Sequence, residues 1–184
     1  GVEAHGTSGY LLAQFLSTGT NQREDDYGGS VGNRIRFPVE VIRAMAAVDG
    51  ADRVGFRICP GNPFNDLSDA DPEETFRHLL GTLRGTGLAY GHVIRLHDKP
   101  LDNVALARDA FGGPLMVNDG YKRAEAIDVV ESGRAAAVSF ARAYLGNPDL
   151  VKRLERNAPL ARFDPSSLYT PGPKGFVDYP ALEG

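Results

Sequence analysis

The chain has 184 residues, of which 42% are hydrophobic and 24% charged, and a formal net charge of −4. This composition is ordinary for a globular domain, and the acidic balance argues against a nucleic-acid partner. Its apolar stretches stay far below the ~20 residues that cross a bilayer, so no membrane association is expected. The single cysteine, Cys59, excludes an intrachain disulfide, which favours a cytoplasmic location.

Short apolar runs alternate with longer amphipathic stretches along the chain. The runs are almost continuously apolar, as in parallel strands covered by helices, and they predict strands at 1–4, 53–58, 91–96, 114–118 and 135–140. The amphipathic stretches predict helices at 31–48, 72–84, 101–110, 123–132 and 148–156. Asp71 before Pro72 and Asn147 before Pro148 are the expected capping residues of two of these helices.

Five strands, each followed by a helix, form a β/α repeat that a doubly wound sheet and a (β/α)8 TIM barrel share. The doubly wound fold calls for a Gly-rich turn directly after its first strand. The nearest candidate, residues 28–32, has the wrong spacing and follows no strand directly. A barrel needs eight units and ~250 residues. We therefore expect an α/β barrel of which this chain supplies five units, with three units missing.

The last part of the chain, residues 157–184, is rich in Pro and Gly and lacks a helical period. We expect residues 1–156 to form the five barrel units and residues 157–184 to pack on the barrel as an extended tail. The tail carries five large apolar side chains that need burial: Phe163, Leu168, Tyr169, Phe176 and Tyr179. Two long loops, residues 17–30 and 60–71, follow the first two strands, where loops of this length are usually functional or ordered by a ligand.

Polar side chains follow the first strand in the segment HGTSGY, which contains His5, Ser8 and Tyr10. The carboxyl end of a barrel strand is the catalytic face. Imidazole, hydroxyl and phenol groups at that face can polarise a carbonyl and deliver a proton to carbon. In the alternative interpretation His5 caps the strand end and Tyr10 packs under the following loop.

A resemblance extends over nearly the whole chain. The segments GVEAHGTSGYLLAQFL, NQREDDYGGS, NRIRF, DRVGFRICP, VNDGY, ARAYLGNPDL and GFVDYP occur in the order typical of the Old Yellow Enzyme family. The resemblance covers the second half of that family's chain and implies that this chain supplies barrel strands 4–8. It also implies an FMN cofactor, NAD(P)H as the reductant and an activated alkene as the small-molecule substrate.

The resemblance assigns roles to the first two strand ends. His5 matches the histidine that binds the substrate oxygen, and Tyr10 matches the tyrosine that protonates the substrate carbon. Ser8 stands where the family usually has Asn or His. Arg57 would face the N1/O2 edge of the reduced flavin, where negative charge gathers. A salt bridge to Asp119 or Glu3 is the alternative for this cation.

The ends of the last two strands match the family's phosphate site, as in many barrels of this type. The resemblance implies that five residues there bind the cofactor: Asp119, Gly120, Tyr121, Ala141 and Arg142. Gly120 lets backbone N–H groups approach the phosphate closely, and Arg142 offers a guanidinium fork. The family often has Gly where Ser139 and Ala141 stand. Phe64 and Tyr169 are expected to line the substrate pocket.

Several other polar residues have structural interpretations. The 17–30 loop and the helix after it carry a set that we expect to form a network holding the loop: Arg23, Asp26, Tyr27, Asn33 and Arg36. The histidines His78, His92 and His97 show no metal-ligand spacing with each other or with Cys59. No metal site is expected.

These patterns lead to one functional hypothesis and two alternatives. The hypothesis is an FMN-dependent ene-reductase that reduces activated C=C bonds in enones, nitroalkenes and maleimides, with hydride from the flavin and the proton from Tyr10. One alternative is a non-catalytic half-barrel that needs a separate N-terminal chain as its partner. The other is a phosphate-binding barrel enzyme without flavin. We expect the chain by itself to be inactive.

Overall fold

The computed structural model describes residues 1–182 and contains one parallel five-stranded sheet in the order β1-β2-β3-β4-β5. The strands are β1 Val2–Gly6, β2 Val54–Ile58, β3 Tyr90–Ile94, β4 Leu115–Asn118 and β5 Ala137–Ser139. Each strand pairs with the next one along the chain, with His5 beside Arg57 and Arg57 beside His92. All five predicted strands are present, with bounds shifted by one or two residues at most ends.

Seven α-helices accompany the strands in the described residues. They are α1 Leu11–Leu16, α2 Val31–Asp49, α3 Pro72–Leu83, α4 Asn103–Phe111, α5 Arg123–Glu131, α6 Arg142–Gly146 and α7 Leu150–Arg156. The predicted cap of α3 is confirmed, because the Asp71 carboxylate accepts a hydrogen bond from the Glu74 N–H at 2.9 Å. Helix α4 begins two residues later than expected, since Asp102 accepts from the N–H groups of Val104 and Ala105.

Asn147 does not cap the start of the helix that follows it, so that expectation is wrong; it is the C-cap residue of the preceding helix α6. Its side-chain amide donates to the carbonyls of Ala143 at 2.8 Å and Ala161 at 3.0 Å, and its oxygen accepts from the Ala161 N–H at 2.8 Å. Asn147 is fully buried and connects the short helix α6, which the sequence pattern missed, to the start of the tail. The following helix begins only at Leu150.

The tail is less buried than its apolar content suggested. Tyr169 is 96% exposed and Phe176 is 53% exposed, so the expected burial is wrong for both. Phe163, Leu168 and Tyr179 are half-buried. The Tyr179 hydroxyl accepts from the Asp164 N–H at 2.7 Å, which joins two parts of the tail, and Arg153 of α7 donates to the carbonyls of Pro159 and Pro180.

The apolar core lies between the sheet and the helices. Alternate strand residues such as Phe56, Ile58, Val93 and Val117 are at most 1% exposed on that side. The residues between them carry polar groups on the opposite face, where the interior of a closed barrel would be. No helix within residues 1–182 is long and apolar enough to cross a membrane.

Candidate active site

A cavity of about 770 Å³ lies at the carboxyl ends of the strands. Its size falls in the range of small-molecule and cofactor sites. Every site residue expected from the sequence lines it, except His5 and Tyr10. The parallel topology explains this convergence, because the carboxyl ends of all the strands meet at one edge of the sheet.

Arg57 on β2 is half-buried and points into this cavity. Its Nη2 donates to Asn118 Oδ1 at 2.7 Å, and its buried Nε has no hydrogen-bond partner among the described residues. Within residues 1–182 neither Asp119 nor Glu3 forms the alternative salt bridge with it. A buried unpaired donor costs ~1–3 kcal/mol, so a ligand acceptor at this point would satisfy a group that the chain leaves unpaired. The electron-rich edge of the expected flavin fits this donor.

The β4–α5 turn has the backbone that a closely approaching anion needs. Asp119 and Gly120 have φ angles of 80° and 69°, both in the left-handed region. A Cβ atom at Gly120 would also lie 2.5 Å from His97 Nε2, so that exposed side chain would have to move aside. Next to this turn the Arg95 guanidinium stacks 3.5 Å from the ring centre of Tyr121, which fixes that side of the cavity.

Arg142 begins α6 beside the same turn and lies at the mouth of the cavity. Its Nη2 is 2.5 Å from Asp119 Oδ1, and its side chain is 69% exposed. The cation expected at a phosphate is therefore present, but it is paired with a carboxylate. A phosphate bound here would displace the Asp119 carboxylate from the Arg142 guanidinium or share the guanidinium with it.

His5 and Tyr10 lie together at the end of β1, with their ring centres 5.0 Å apart. Tyr10 is 60% exposed, so it does not pack under the loop as the structural alternative proposed. Burial, together with the Arg57 cation, lowers the pKa of His5 below its ordinary value. A neutral imidazole results at neutral pH, suited to donating one hydrogen bond to a ligand oxygen.

Ser8 and Phe64 reach the cavity from neighbouring loops. Ser8 has a φ of 58°, and its carbonyl accepts from Asn65 Nδ2 at 2.6 Å. Asn62 donates to Thr7 Oγ1 at 2.8 Å, and its Oδ1 accepts from the Phe64 N–H at 2.8 Å. Sequence reasoning missed Asn62, although an Asn between Gly and Pro after a strand is a turn signal.

The network expected in the 17–30 loop forms in part. Arg23 pairs with Asp25 rather than Asp26, and the Tyr27 hydroxyl donates to Glu40 at 3.2 Å. A residue that holds this loop by hydrogen bonds is Arg34, which was not expected from the sequence. Its guanidinium is buried and donates at 3.0 Å or less to three oxygens: the carbonyls of Leu16 and Gly29 and the hydroxyl of Thr75.

No group of His, Cys, Asp and Glu suited to holding a metal ion occurs in the described part of the chain. Cys59 is buried beside Thr7, and burial raises the pKa of its thiol to about 12. A thiol with this pKa stays protonated at neutral pH and is a poor nucleophile.

Comparison with known proteins identifies relatives over the full chain. Residues 1–161 match the model of the NADH:flavin oxidoreductase / NADH oxidase family. The chain is 44% identical to a probable flavin mononucleotide-dependent alkene reductase of Leishmania infantum, an alignment that covers 99% of this chain and 50% of that protein. It is 38% identical to 12-oxophytodienoate reductase 2 of Arabidopsis thaliana, covering 100% of this chain and 51% of that one.

Solved structures give the same result. Morphinone reductase in complex with tetrahydroNAD superposes with a TM-score of 0.93 at 40% identity, over 99% of this chain and 50% of that one. The old yellow enzyme from Trypanosoma cruzi superposes with a TM-score of 0.95 at 33% identity, over 100% of this chain and 50% of that one. The chain spans about half the length of the curated relatives it matches. Five parallel strands with these neighbours confirm the expected α/β class and are consistent with half of a TIM barrel.

Proposed function

The chain belongs to the NADH:flavin oxidoreductase / NADH oxidase family, and on this premise we propose that the complete barrel is an FMN-dependent reductase of activated alkenes. The substrates we propose are enones, nitroalkenes and maleimides, with NAD(P)H as the reductant. When bound, FMN would supply the redox chemistry, taking hydride from NAD(P)H and giving it to the β-carbon of the alkene. The protein contributes positioning and electrostatics.

The observation that carries this proposal is the unpartnered donor of Arg57 in the cavity at the strand ends. A guanidinium at this point stabilises negative charge on the cofactor edge. Such stabilisation is strongest in a site that excludes water. In the same cavity, the left-handed turn at Gly120 and the nearby Arg142 would hold the phosphate.

The substrate groups in the proposal are His5, Ser8 and Tyr10. The neutral imidazole of His5 would donate to the electron-withdrawing oxygen of the alkene, aided by the Ser8 hydroxyl. Tyr10, whose ring lies beside His5, would deliver the proton to the α-carbon as a general acid. Phe64 and Tyr169 are exposed at the cavity and would cover the substrate.

We also propose that residues 1–156 act as five units of a barrel whose remaining three units come from another segment or chain. The sheet supports this division, because β1 and β5 each have only one hydrogen-bonded neighbour among the described residues. Open parallel edges are strongly disfavoured. A half-barrel without catalytic function of its own therefore remains the second candidate for the isolated chain.

An anaerobic half-reaction experiment tests the proposed function. The complete protein is reconstituted with FMN, reduced with NADPH and then mixed with a nitroalkene while the flavin absorbance is followed. We expect the band to bleach and then to return in proportion to the alkene added. A protein that stays colourless after reconstitution would instead support the flavin-free phosphate-binding barrel. Bleaching without reoxidation by any alkene of the three classes would contradict the ene-reductase proposal.

A further inference from the structure

One continuous chain of hydrogen bonds crosses the polar face of the sheet, and every strand contributes one side chain to it. The participants are Glu3 of β1, Arg57 of β2, His92 of β3, Asn118 of β4 and Ser139 of β5. Of these five residues, only Arg57 was expected from the sequence to bind the cofactor. This series of hydrogen bonds runs from the Arg57 cation at one end to the Glu3 carboxylate at the other.

The chemistry of the two ends fixes the direction of the bonds near Arg57. A guanidinium can only donate, so Asn118 Oδ1 accepts from Arg57 Nη2 at 2.7 Å. The amide nitrogen of Asn118 must then point the other way, and it donates to the main-chain carbonyl of Ser139 at 2.9 Å. These two hydrogen bonds fix the orientation of the Asn118 side-chain amide.

The carboxylate fixes the direction at the opposite end. A carboxylate accepts, so His92 Nδ1–H donates to Glu3 Oε2 at 2.9 Å. Burial lowers the pKa of His92, with the facing Arg57 cation acting in the same sense and the facing Glu3 carboxylate opposing it. His92 is therefore neutral at neutral pH, and its Nε2 carries a lone pair. The Ser139 hydroxyl, 2.8 Å away, donates to that nitrogen.

The Ser139 hydroxyl is consequently left as an acceptor. Its hydrogen is directed at His92, and its oxygen has no other hydrogen-bond partner among residues 1–182. Ser139 lines the 770 Å³ cavity, so the free lone pairs are available to a ligand that carries a donor. Ser139 ends β5, three strands along the sheet from Arg57 on β2, and Arg142 follows it at the start of α6.

We propose that Ser139 is a cofactor-binding residue whose hydroxyl accepts a hydrogen bond from a hydroxyl of the cofactor's polyol chain, with His92 and Glu3 as positioning residues. This inference rests on the proposed function, in which Arg57 binds the ring edge and Arg142 the phosphate. The ribityl chain is the part of FMN that joins ring and phosphate, and its hydroxyl groups are donors that match the acceptor.

The first test measures the contribution of the polyol chain to binding separately from the contributions of the ring and the phosphate. Apoprotein of the complete barrel is titrated with riboflavin and with lumiflavin, which lacks the ribityl chain, and binding is followed by flavin fluorescence. We expect Ser139→Ala to weaken riboflavin binding about 3- to 10-fold, the range for losing one neutral hydrogen bond. Lumiflavin binding should not change. Ser139→Thr should restore riboflavin binding, and Ser132→Ala, a serine at the end of α5, serves as the matched control.

The second test concerns His92 and uses the ratio of riboflavin to lumiflavin affinity, which a merely structural role would not change. His92→Phe keeps a planar ring but cannot accept from Ser139, so the ratio should fall as it does in Ser139→Ala. The two changes together should lower the ratio no further, because both remove the same interaction. His92→Gln, which can accept from Ser139 and donate to Glu3, should restore the ratio.

The outcomes distinguish a failure of the Ser139 inference from a failure of the proposed function. If the unaltered protein binds neither FMN nor riboflavin, both the proposed function and this inference are wrong. If it binds riboflavin and Ser139→Ala binds it equally well, the role of Ser139 is wrong and the proposed function stands. Equal weakening of riboflavin and lumiflavin would also overturn the inference, because it would place Ser139 against the ring or in the folding of the site.

Discussion

Arg142 Nη2 lies 2.5 Å from Asp119 Oδ1, so the cation expected to receive a phosphate is held by a carboxylate. Both residues line the cavity, and Asp119 has a left-handed φ of 80°. A bound phosphate has to replace this carboxylate or share the guanidinium with it. The strength of the pair therefore sets part of the affinity for any phosphorylated ligand.

We expect Asp119→Asn to tighten FMN binding. Asn tolerates the left-handed backbone at least as well as Asp, and the change removes a negative charge beside the phosphate. An exposed ion pair is worth about 0–1 kcal/mol, which corresponds to at most about fivefold in affinity. Fluorescence titration with FMN measures the effect, and riboflavin is the control ligand. Weaker FMN binding would show that Asp119 positions Arg142 instead of competing with the phosphate.

Arg142→Ala should weaken FMN binding about 10- to 100-fold, the range for losing a charge-assisted contact. A phosphate contact acts alike in each redox state, so hydride transfer on flavin that stays bound should be nearly unchanged. Arg108→Ala, which removes an exposed arginine of α4, is the control. Full flavin occupancy combined with lost hydride transfer would show that Arg142 serves the chemistry and not the phosphate.

Tyr10→Phe should slow alkene reduction by ~10²–10⁴, the usual cost of losing a positioned general acid. Reduction of the flavin by nicotinamide needs no proton from this phenol and should keep its rate. Stopped-flow measurement of the two half-reactions separates the effects. Tyr27→Phe, which removes a hydroxyl bonded to Glu40 in the loop region, is the matched control. Equal slowing of both half-reactions would make Tyr10 a structural residue.

The Cys59 thiol makes stability depend on pH in alkaline solution. Its pKa rises from 9.0 to about 12 on folding because the side chain is buried. The folded state therefore retains a proton that the unfolded state releases, and the stabilisation is complete below pH 9 and is lost between pH 9 and about 12. At pH 10 we expect a loss of ~1.4 kcal/mol in the free energy of unfolding. Denaturant titrations of the complete protein should show this slope, and Cys59→Ala should remove it.

By itself, the 184-residue chain should associate or unfold at a low temperature. Strands β1 and β5 form the two edges of the described sheet, and Val2 on β1 is 56% exposed. Unpaired parallel edges and an uncovered interior favour self-association. Sedimentation and thermal unfolding of the isolated chain, with and without the missing units supplied as a second polypeptide, measure this. A stable monomer that binds FMN tightly without the second polypeptide would contradict the expectation.

The sequence by itself determined the α/β architecture and the family. Brief apolar runs spaced by amphipathic stretches were enough to predict five strands and most helices, because the strand face that packs against the helices needs apolar residues. The segments around His5, Arg57 and Arg142 were sufficient to place the chain in its family, because strand ends carry the chemistry of a barrel. Local caps such as Asp71 were equally predictable, since a cap depends on residues three positions away.

The tertiary structure decided the interactions that join distant segments. His92 has no metal-ligand spacing in the sequence, yet in the structure it joins Glu3 to Ser139, which are 89 and 47 residues away along the chain. Asn147 was expected to cap the start of the following helix, and instead its side chain forms hydrogen bonds to Ala161 at the start of the tail. The register of the sheet creates the first set of contacts and the path of the tail creates the second. Local sequence patterns carry no information about either, because both depend on which side chains meet after the chain has folded.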